Sequence, residues 1–218
     1  MADETGAPRP APLSAARTVR ALVVYAHPAP DSFCARLRDT VVGTLERCGH
    51  DVDLLDLHAE GFDPVLGAEA TVRQRGGRGP GPDLDAHVRR LAAAEALVLV
   101  HPTWWSGQPA ILKGWIDRVW PTGTGWHPVG PSPRPWQLRA RHPLWQLRRL
   151  VVVTTHGSPR RVNLLQGEAG RLTVRRGLRR RAHPRARVRW VACYGIDEDR
   201  PARREAFVAR VAREMARL

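Results

Sequence analysis

Two adjacent tryptophans, Trp104 and Trp105, are side chains that could bind a flat aromatic ligand. They follow the apolar run 96–101 (ALVLVH), which is typical of a buried strand. Two neighbouring indoles at the end of a strand cannot both face the core, so at least one is expected to be partly exposed and available to a ligand. The alternative is that they pack under a neighbouring loop or at an oligomer contact.

The segment 27–34 (HPAPDSFC) could bind an anion, because a helix is predicted to begin at its end. Backbone N–H groups and the Ser32 hydroxyl would face the anion there, and the helix dipole favours negative charge. The segment has neither the GxGxxG nor the Walker A spacing, which excludes a Rossmann fingerprint and a P-loop but leaves a phosphate-bearing cofactor open. The simpler alternative is that Asp31 or Ser32 only caps the helix and that His27 is structural.

A third segment, 154–159 (TTHGSP), offers hydroxyl groups and successive backbone amides, with Gly157 allowing a close approach. Amides aimed at one edge of a ligand stabilise charge that develops there during a reaction. The same residues are also typical of a simple turn.

Short apolar strands alternate with amphipathic helices along the chain, and these elements must position the three segments. Strands are predicted at 19–26, 51–57, 96–101, 150–155 and 188–194, and helices at 32–48, 83–95 (capped by Asp83), 110–119 and 203–218. This alternation predicts an α/β fold: a flavodoxin-like, doubly wound, five-stranded parallel sheet of order 2-1-3-4-5 with helices on both faces. Such sheets bind ligands beyond the carboxyl ends of the strands, where all three segments are expected to lie.

The length of 218 residues predicts one domain over 19–218, after a mobile tail at 1–18 that lacks the apolar region of a signal peptide. The three cysteines, Cys34, Cys48 and Cys193, show no disulfide or zinc spacing, so we expect no metal site and a reducing compartment. No apolar run approaches the roughly 18 residues that cross a bilayer. We therefore expect a cytoplasmic protein with no transmembrane segment.

Five stretches of the sequence together resemble one known family. They are YAHPAPDSF (25–33), GHDVDLLDLHAEGFDPVL (49–66), PTWWSGQPAILKGWIDRVW (102–120), TTHGS (154–158) and LQG (165–167). They resemble the flavin-dependent NAD(P)H:quinone oxidoreductases. The resemblance implies that NAD(P)H gives a hydride to N5 of a bound flavin, and that a quinone or similar aromatic acceptor then takes its place in the same pocket. It also implies a homodimer with a shared active site.

The resemblance assigns a role to each segment. In segment 27–34, the residues that would hold the cofactor's phosphates are His27, Ser32, Phe33 and Cys34. In segment 102–105, which contains the tryptophan pair, the residues that would line the isoalloxazine are Pro102, Thr103, Trp104 and Trp105. In segment 154–159, the residues whose amides would meet the pyrimidine edge are Thr154, Thr155, His156 and Gly157. Trp126, Pro128 and Asn163 would line the substrate pocket.

FAD is expected rather than FMN, because segment 27–34 resembles the family's dinucleotide-binding form. Ile196 and Arg204 could reach an adenine. The resemblance further implies a helix over 166–181.

Several positions depart from the family's pattern. His156 occupies a position that is normally Gly, where its imidazole would narrow the pocket, donate a proton as a catalytic residue, or turn to solvent. Asn163 and Ala169 stand where well-studied members carry a Tyr and a His that relay charge from the reduced flavin, and Cys34 stands where Asn is usual. These losses leave an alternative function open: a flavin-binding regulatory or ancillary protein of an ion-transport or other partner system, with little turnover of its own.

The formal charge of +14 is confined to the second part of the chain, because residues 1–130 have a net charge of −2 and residues 131–218 one of +16. Residues 131–190 contain 16 arginines and one acidic residue, and are most simply a solvated face. They could also hold an anion such as the 2′-phosphate of NADPH, or dock to an anionic partner. Nucleic acid is not expected, since no recognised binding motif accompanies the charge.

Overall fold

The computed structural model describes residues 17–75, 81–120, 144–198 and 200–218. In this part of the chain one parallel sheet has the order β2-β1-β3-β4-β5. Its strands are β1 (Arg20–Tyr25), β2 (Asp51–Asp56), β3 (Ala96–Thr103), β4 (Arg149–His156) and β5 (Arg187–Tyr194). The predicted fold class is confirmed. Most of the predicted tail at 1–18, together with Trp126 and Pro128, lies outside the described residues.

Seven helices connect or follow these strands within the described ranges. They are α1 (Phe33–Arg47), α2 (Ala68–Arg75), α3 (Asp85–Ala93), α4 (Ala110–Val119), α5 (Arg160–Leu165), α6 (Ala169–Leu172) and α7 (Pro201–Met215). A 3-10 turn (Pro82–Leu84) precedes α3, and α6 continues through a π turn (Thr173–Gly177) and a 3-10 turn (Leu178–Arg181). No helix in the described ranges is long and apolar enough to span a membrane, and the cytoplasmic location stays a prediction.

Apolar side chains cover the sheet on both faces. Helices α1 and α7 bury Leu37, Val41, Leu45, Phe207, Val211 and Met215 on one face. Helices α3 and α4 and the segment after α6 bury Leu91, Leu112, Trp115, Val119, Val174 and Leu178 on the other. Because β1, β3 and β4 are covered on both sides, they are continuously apolar rather than alternating.

Helix α1 begins and ends where its sequence predicts. The Ser32 hydroxyl accepts a hydrogen bond from the Ala35 N–H at 3.1 Å, which is the geometry of an N-cap. Gly49 follows the helix with φ +78°, the left-handed conformation that stops an α-helix. This helix therefore starts directly beyond the carboxyl end of β1.

Three local predictions need correction. Asp83 does not cap α3; its carboxylate binds the Arg118 guanidinium at 2.6 Å. Helix α2 was not predicted, because its sequence AEATVRQR has no apolar stripe. The helix predicted over 166–181 begins only at Ala169, since Gly167 and Glu168 adopt φ values of +79° and +43°, which a right-handed helix excludes.

Candidate active site

The three predicted segments meet at one cavity of about 750 Å³ at the carboxyl ends of the strands. All described site residues predicted from the sequence line it, except Thr154 and Arg204. The lining residues are His27, Ser32, Phe33, Cys34, Pro102, Thr103, Trp104, Trp105, Ser106, Thr155, His156, Gly157, Ser158, Asn163, Gln166, Ile196 and Asp197. The cavity thus lies at the switch between β1 and β3, where doubly wound sheets bind ligands.

The N-terminus of α1 forms the first wall. Besides the Ser32 cap, the Ser32 carbonyl accepts from the Arg36 N–H at 3.2 Å. These two bonds do not use the N–H groups of Phe33 and Cys34, so the wall keeps donors for an anion, with the positive end of the helix dipole behind them. Capping and anion binding were treated as alternatives for Ser32, but this geometry allows both.

Cys34 faces the cavity as a nearly apolar side chain. Burial raises the pKa of its thiol to about 12 and the nearby Thr155 hydroxyl lowers it only in part. The two side chains lie 3.9 Å apart, from Sγ to Oγ1. A thiol with that pKa stays protonated and unreactive near neutral pH, so Cys34 contributes shape rather than nucleophilic chemistry.

The tryptophan pair forms a tight turn in the wall of the cavity. Trp104 and Gly107 exchange backbone hydrogen bonds of 3.2 and 3.0 Å, and the two residues between them, Trp105 and Ser106, have φ values of +49° and +61°. The turn exposes 47% of Trp104 and leaves Trp105 fully exposed. Trp104 also approaches His27, with ring centroids 6.2 Å apart. Both indoles are therefore outside the core, whereas the sequence predicted that at least one of them would be.

His156 is turned into the fold, with only 3% of its surface exposed. The register of the sheet explains its surroundings, because Thr103 on β3 and Tyr194 on β5 are its direct cross-strand partners. The imidazole stacks on Tyr194, with centroids 4.5 Å apart and planes at 25°. The alternative that His156 faces solvent is wrong, because its side chain is buried. It lines the cavity, so the expectation that its imidazole narrows the pocket stays a prediction.

Hydrogen bonds determine which His156 nitrogen carries the proton. Asn163 Nδ2 donates to the carbonyls of Ser158 and Pro159, so its Oδ1 is left to accept from His156 Nδ1 at 2.6 Å. Nε2 of the neutral ring can then accept from the Thr103 hydroxyl at 3.3 Å. Burial lowers the pKa of His156, and the bond to Asn163 opposes this only in part. The imidazole is therefore neutral near pH 7, with its proton on Nδ1.

Thr154 supports this arrangement from beneath the cavity rather than lining it. Its side chain is fully buried and lies 2.8 Å from the Thr103 hydroxyl. Thr103 in turn contacts His156. The hydroxyls of Thr154 and Thr103 thus continue the hydrogen-bonded row that orients the imidazole.

A buried carboxylate, Glu168, was not predicted as part of the site. It accepts from the Tyr194 hydroxyl at 2.5 Å and from Arg171 Nη1 at 2.6 Å. Burial acts to raise the pKa of Glu168, but these two donors outweigh it and lower the pKa overall. Both burial and the bond to Glu168 raise the pKa of Tyr194 to about 12. Glu168 is thus ionised, and it holds the ring on which His156 stacks.

The cavity also has lining residues that the sequence reasoning did not assign to it. Ser106, Ser158 and Gln166 lie in or beside the predicted segments, and Ser106 donates to Gln166 Oε1 at 2.8 Å. Asp197 follows β5, so the strand-end rule could have nominated it. A Cβ on Gly157 would collide with the Asp197 carboxylate, so a larger residue here would require the Asp197 side chain to move. In the described ranges no group of three or more His, Cys, Asp or Glu could hold a metal ion.

The order of the sheet and the cavity beyond its carboxyl ends define a flavodoxin-like α/β protein with a ligand site at the switch point. Sequence comparison matches residues 19–178 to the family described as having the flavodoxin-like fold, and the chain belongs to that family.

Individual relatives are consistent with this assignment. The chain is 29% identical over 172 residues to NAD(P)H dehydrogenase [quinone] 1 of Rattus norvegicus, covering 71% of this chain and 60% of that protein. The crystal structure of Smu.1420 from Streptococcus mutans UA159 has a TM-score of 0.76 at 28% identity, covering 91% of this chain and all of that one. The NAD(P)H:quinone oxidoreductase from Methanothermobacter marburgensis has a TM-score of 0.75 at 22% identity, covering 92% and 96% of the two chains, and shows the fold.

The chain spans only part of the curated relatives that it matches. The first three matches cover 60%, 44% and 54% of those proteins. Their activities are therefore a basis for a proposal about this chain and no more.

Proposed function

We propose that this chain is a flavin-dependent oxidoreductase that takes a hydride from NAD(P)H and passes it to a quinone or a similar aromatic acceptor. The observation that supports this most strongly is the pairing of an exposed indole, Trp104, with the N-terminus of α1 in the wall of one cavity. An aromatic surface beside an anion-binding helix terminus suits a ligand that has both a planar ring and phosphate groups.

The residues present fit a flavin. The cavity of about 750 Å³ lies in the range of cofactor pockets, and it combines aromatic side chains with a few polar groups. The Phe33 and Cys34 amides would hold a phosphate, Trp104 would contact the ring system, and the backbone around Gly157 would meet one ring edge. A bound flavin supplies the centre at N5 that accepts and donates a hydride.

FAD is the form that we propose. The lining continues past the α1 terminus to Ile196, beyond the end of β5, which gives room for a second half of the cofactor. Arg204 donates to the Ile196 carbonyl at 3.2 Å, so its guanidinium lies beside this end of the cavity.

His156 acts in this proposal as a positioning residue. It is buried and neutral. Its ring contacts Thr103 at the end of β3 on one side and Asn163 in α5 on the other. It therefore holds two walls of the cavity together. Protons taken up during turnover would come from the solvent that reaches the open side of the cavity.

One observation favours the second candidate, a flavin-binding regulatory or ancillary protein. The Asn163 amide is fully used by His156, Ser158 and Pro159, and Ala169 has no polar side chain. Neither position can relay a proton, so slow turnover would follow if the reaction depended on one.

Cofactor extraction with mass analysis, followed by anaerobic bleaching, tests both candidates. We expect FAD to co-purify, NADH or NADPH to bleach it, and a quinone to restore its colour. Flavin that binds but is not bleached would favour the regulatory candidate, and failure to bind added FAD or FMN would contradict both.

A matched pair of truncations tests the role of Trp104. Trp104→Ala should weaken FAD binding by about tenfold, the equivalent of ~1.4 kcal/mol for a lost aromatic contact. Val72→Ala shortens a side chain on α2 that is 61% exposed and outside the cavity, and should change nothing. Equal affinities in the two variants would contradict the contact.

We also propose that the partner of this chain is a second copy. Exposed apolar side chains stand on the tryptophan turn and on α5 and α6, namely Trp105, Leu164, Leu165 and Leu172. The Gly170 N–H donates to the Ser106 carbonyl at 2.9 Å, so the turn and α6 form one surface beside the cavity. Sedimentation equilibrium should show a dimer that Leu165→Glu weakens and that Val65→Glu, at an exposed site outside this surface, does not.

A further inference from the structure

A second groove, of about 490 Å³, runs along the free edge of the sheet at β5. Among the described strands β5 pairs only with β4, so its other side is open. Residues of helix α7 line part of the groove, and Arg160 and Arg171 also line it. In the described chain it shares no lining residue with the cavity at the strand ends.

Positive charge dominates this groove. Four arginines line it, Arg160, Arg171, Arg203 and Arg210, and none of its described lining residues is acidic. Arg171 is paired with Glu168, whereas the other three form no ion pair with a described carboxylate. Three guanidinium groups therefore line the groove without a described carboxylate as ion-pair partner, and their positive charge attracts an anion that enters it.

The floor of the groove is aromatic. Trp190 and Tyr194 are half-buried rings that share one face of β5. Phe207 on α7 packs with Cys193 on the opposite face, so the groove extends around the edge of the strand, where Ala192 and Ala206 also line it. A planar ring can lie on such a surface while its charged end reaches the arginines.

We propose that this groove binds a phosphorylated small molecule with a planar ring, of the nucleoside diphosphate class. Arginine pairs with phosphate oxygens through two parallel hydrogen bonds, which a solvated surface charge does not provide. Near neutral pH a diphosphate carries roughly three negative charges, which matches the three uncompensated arginines. The site does not depend on the redox function proposed for the other cavity.

Calorimetric titration of the flavin-saturated protein with ADP tests the proposal. Saturation with FAD keeps ADP out of the first cavity. We expect ADP to bind more tightly than either inorganic pyrophosphate or adenosine. Pyrophosphate can contact only the arginines, and adenosine can contact only the aromatic side chains. If the protein binds no flavin, the same titration on the protein as purified reports on the groove through its dependence on Arg210.

Two variants on the same helix make the result specific. Arg210→Gln should weaken ADP binding by about tenfold or more, whereas Arg213→Gln removes an exposed charge of α7 outside the groove and should leave the affinity within about twofold.

Several outcomes would overturn the proposal. Equal effects of the two variants would show only general attraction to a basic surface. Pyrophosphate binding as tightly as ADP would remove the role of the ring. An Arg210-dependent complex with a glutamate-rich peptide, without ADP binding, would assign the groove to an acidic protein partner instead.

Discussion

The imidazole of His156 stacks on the phenol ring of Tyr194, and the two are direct neighbours across the β4–β5 register. Asn163 and Thr103 hold the His156 ring through its two nitrogens, and Glu168 holds Tyr194 through its hydroxyl. The stack therefore connects α5, which carries Asn163, to Glu168 at the start of α6. The His156 ring is thus held firmly in the cavity wall, and a catalytic role for it stays a prediction.

The protonation of His156 should depend on Asn163. Because burial lowers the pKa of His156, its ring titrates below the usual range, and NMR should show the Nδ1–H tautomer at pH 7. Asn163→Asp places a carboxylate at the Nδ1–H and should raise the pKa of His156. His50, which lies outside the cavity, serves as the internal control, because burial lowers its pKa equally in both proteins. A His156 pKa that is equal in the two proteins would contradict the assigned contact.

Tyr194→Phe should distinguish the contribution of the ring stack to stability from that of the hydrogen bond to Glu168. Phenylalanine keeps the ring over His156 but leaves Glu168 without its closest donor, so we expect the free energy of unfolding to fall by about 1–2 kcal/mol. Urea denaturation measures this change. Tyr25→Phe is the matched control, because the Tyr25 hydroxyl makes longer contacts of 3.3 and 3.5 Å and its loss should matter less. Equal losses would show that the Glu168 bond adds nothing specific.

A fully buried histidine in β3 should make stability depend on pH. Burial lowers the pKa of His101 to about 4, although the hydrogen bond between its Nδ1 and the Pro102 carbonyl acts to raise that pKa. Between pH 6.5 and 4 only the unfolded chain takes up this proton, so stability that is present above pH 6.5 is lost as the pH falls toward 4. The loss should be on the order of 3 kcal/mol.

Denaturation curves at pH 7.5 and pH 5 check this behaviour. His101→Asn should flatten the dependence, whether or not it lowers stability at both pH values. An unchanged slope in His101→Asn would assign the effect to other groups.

Elements with a strong local pattern were predictable from the sequence, and side-chain partnerships were not. Helix α4 has the predicted bounds, because its apolar residues recur at helical spacing, whereas α2 has no such stripe and was missed. The fold rule brought the three segments to one cavity. The burial of His156 depends on Tyr194, which is distant in sequence, and the role of Glu168 depends on both Tyr194 and Arg171. Neither relationship leaves a local signal.

The tryptophan turn stores backbone strain at Trp105. A bulky residue with φ +49° is in the left-handed region that glycine adopts without strain, and the fully exposed indole gains no burial. In the Leu165→Glu background, which removes the proposed contact with a second copy, Trp105→Gly should therefore leave the free energy of unfolding unchanged or raise it by ~0.5–1 kcal/mol. Trp104→Gly should lower it, because Trp104 is not among the described residues with positive φ and its ring lies beside His27. A large loss of stability in Trp105→Gly would contradict this account of the turn.

Gly114 marks the point where α4 packs most closely on the chain after β2. A Cβ at this position would overlap both the carbonyl and the ring of Pro64, and neither can move without shifting backbone. Gly114→Ala should therefore destabilise the protein by about 1–3 kcal/mol although alanine favours helices. Gly177 is the matched control, because a Cβ there meets nothing within 4 Å, so Gly177→Ala should be neutral or stabilising by ~0.5–1 kcal/mol. Thermal or urea denaturation distinguishes the two variants, and a stabilising Gly114→Ala would show that α4 does not lie against Pro64.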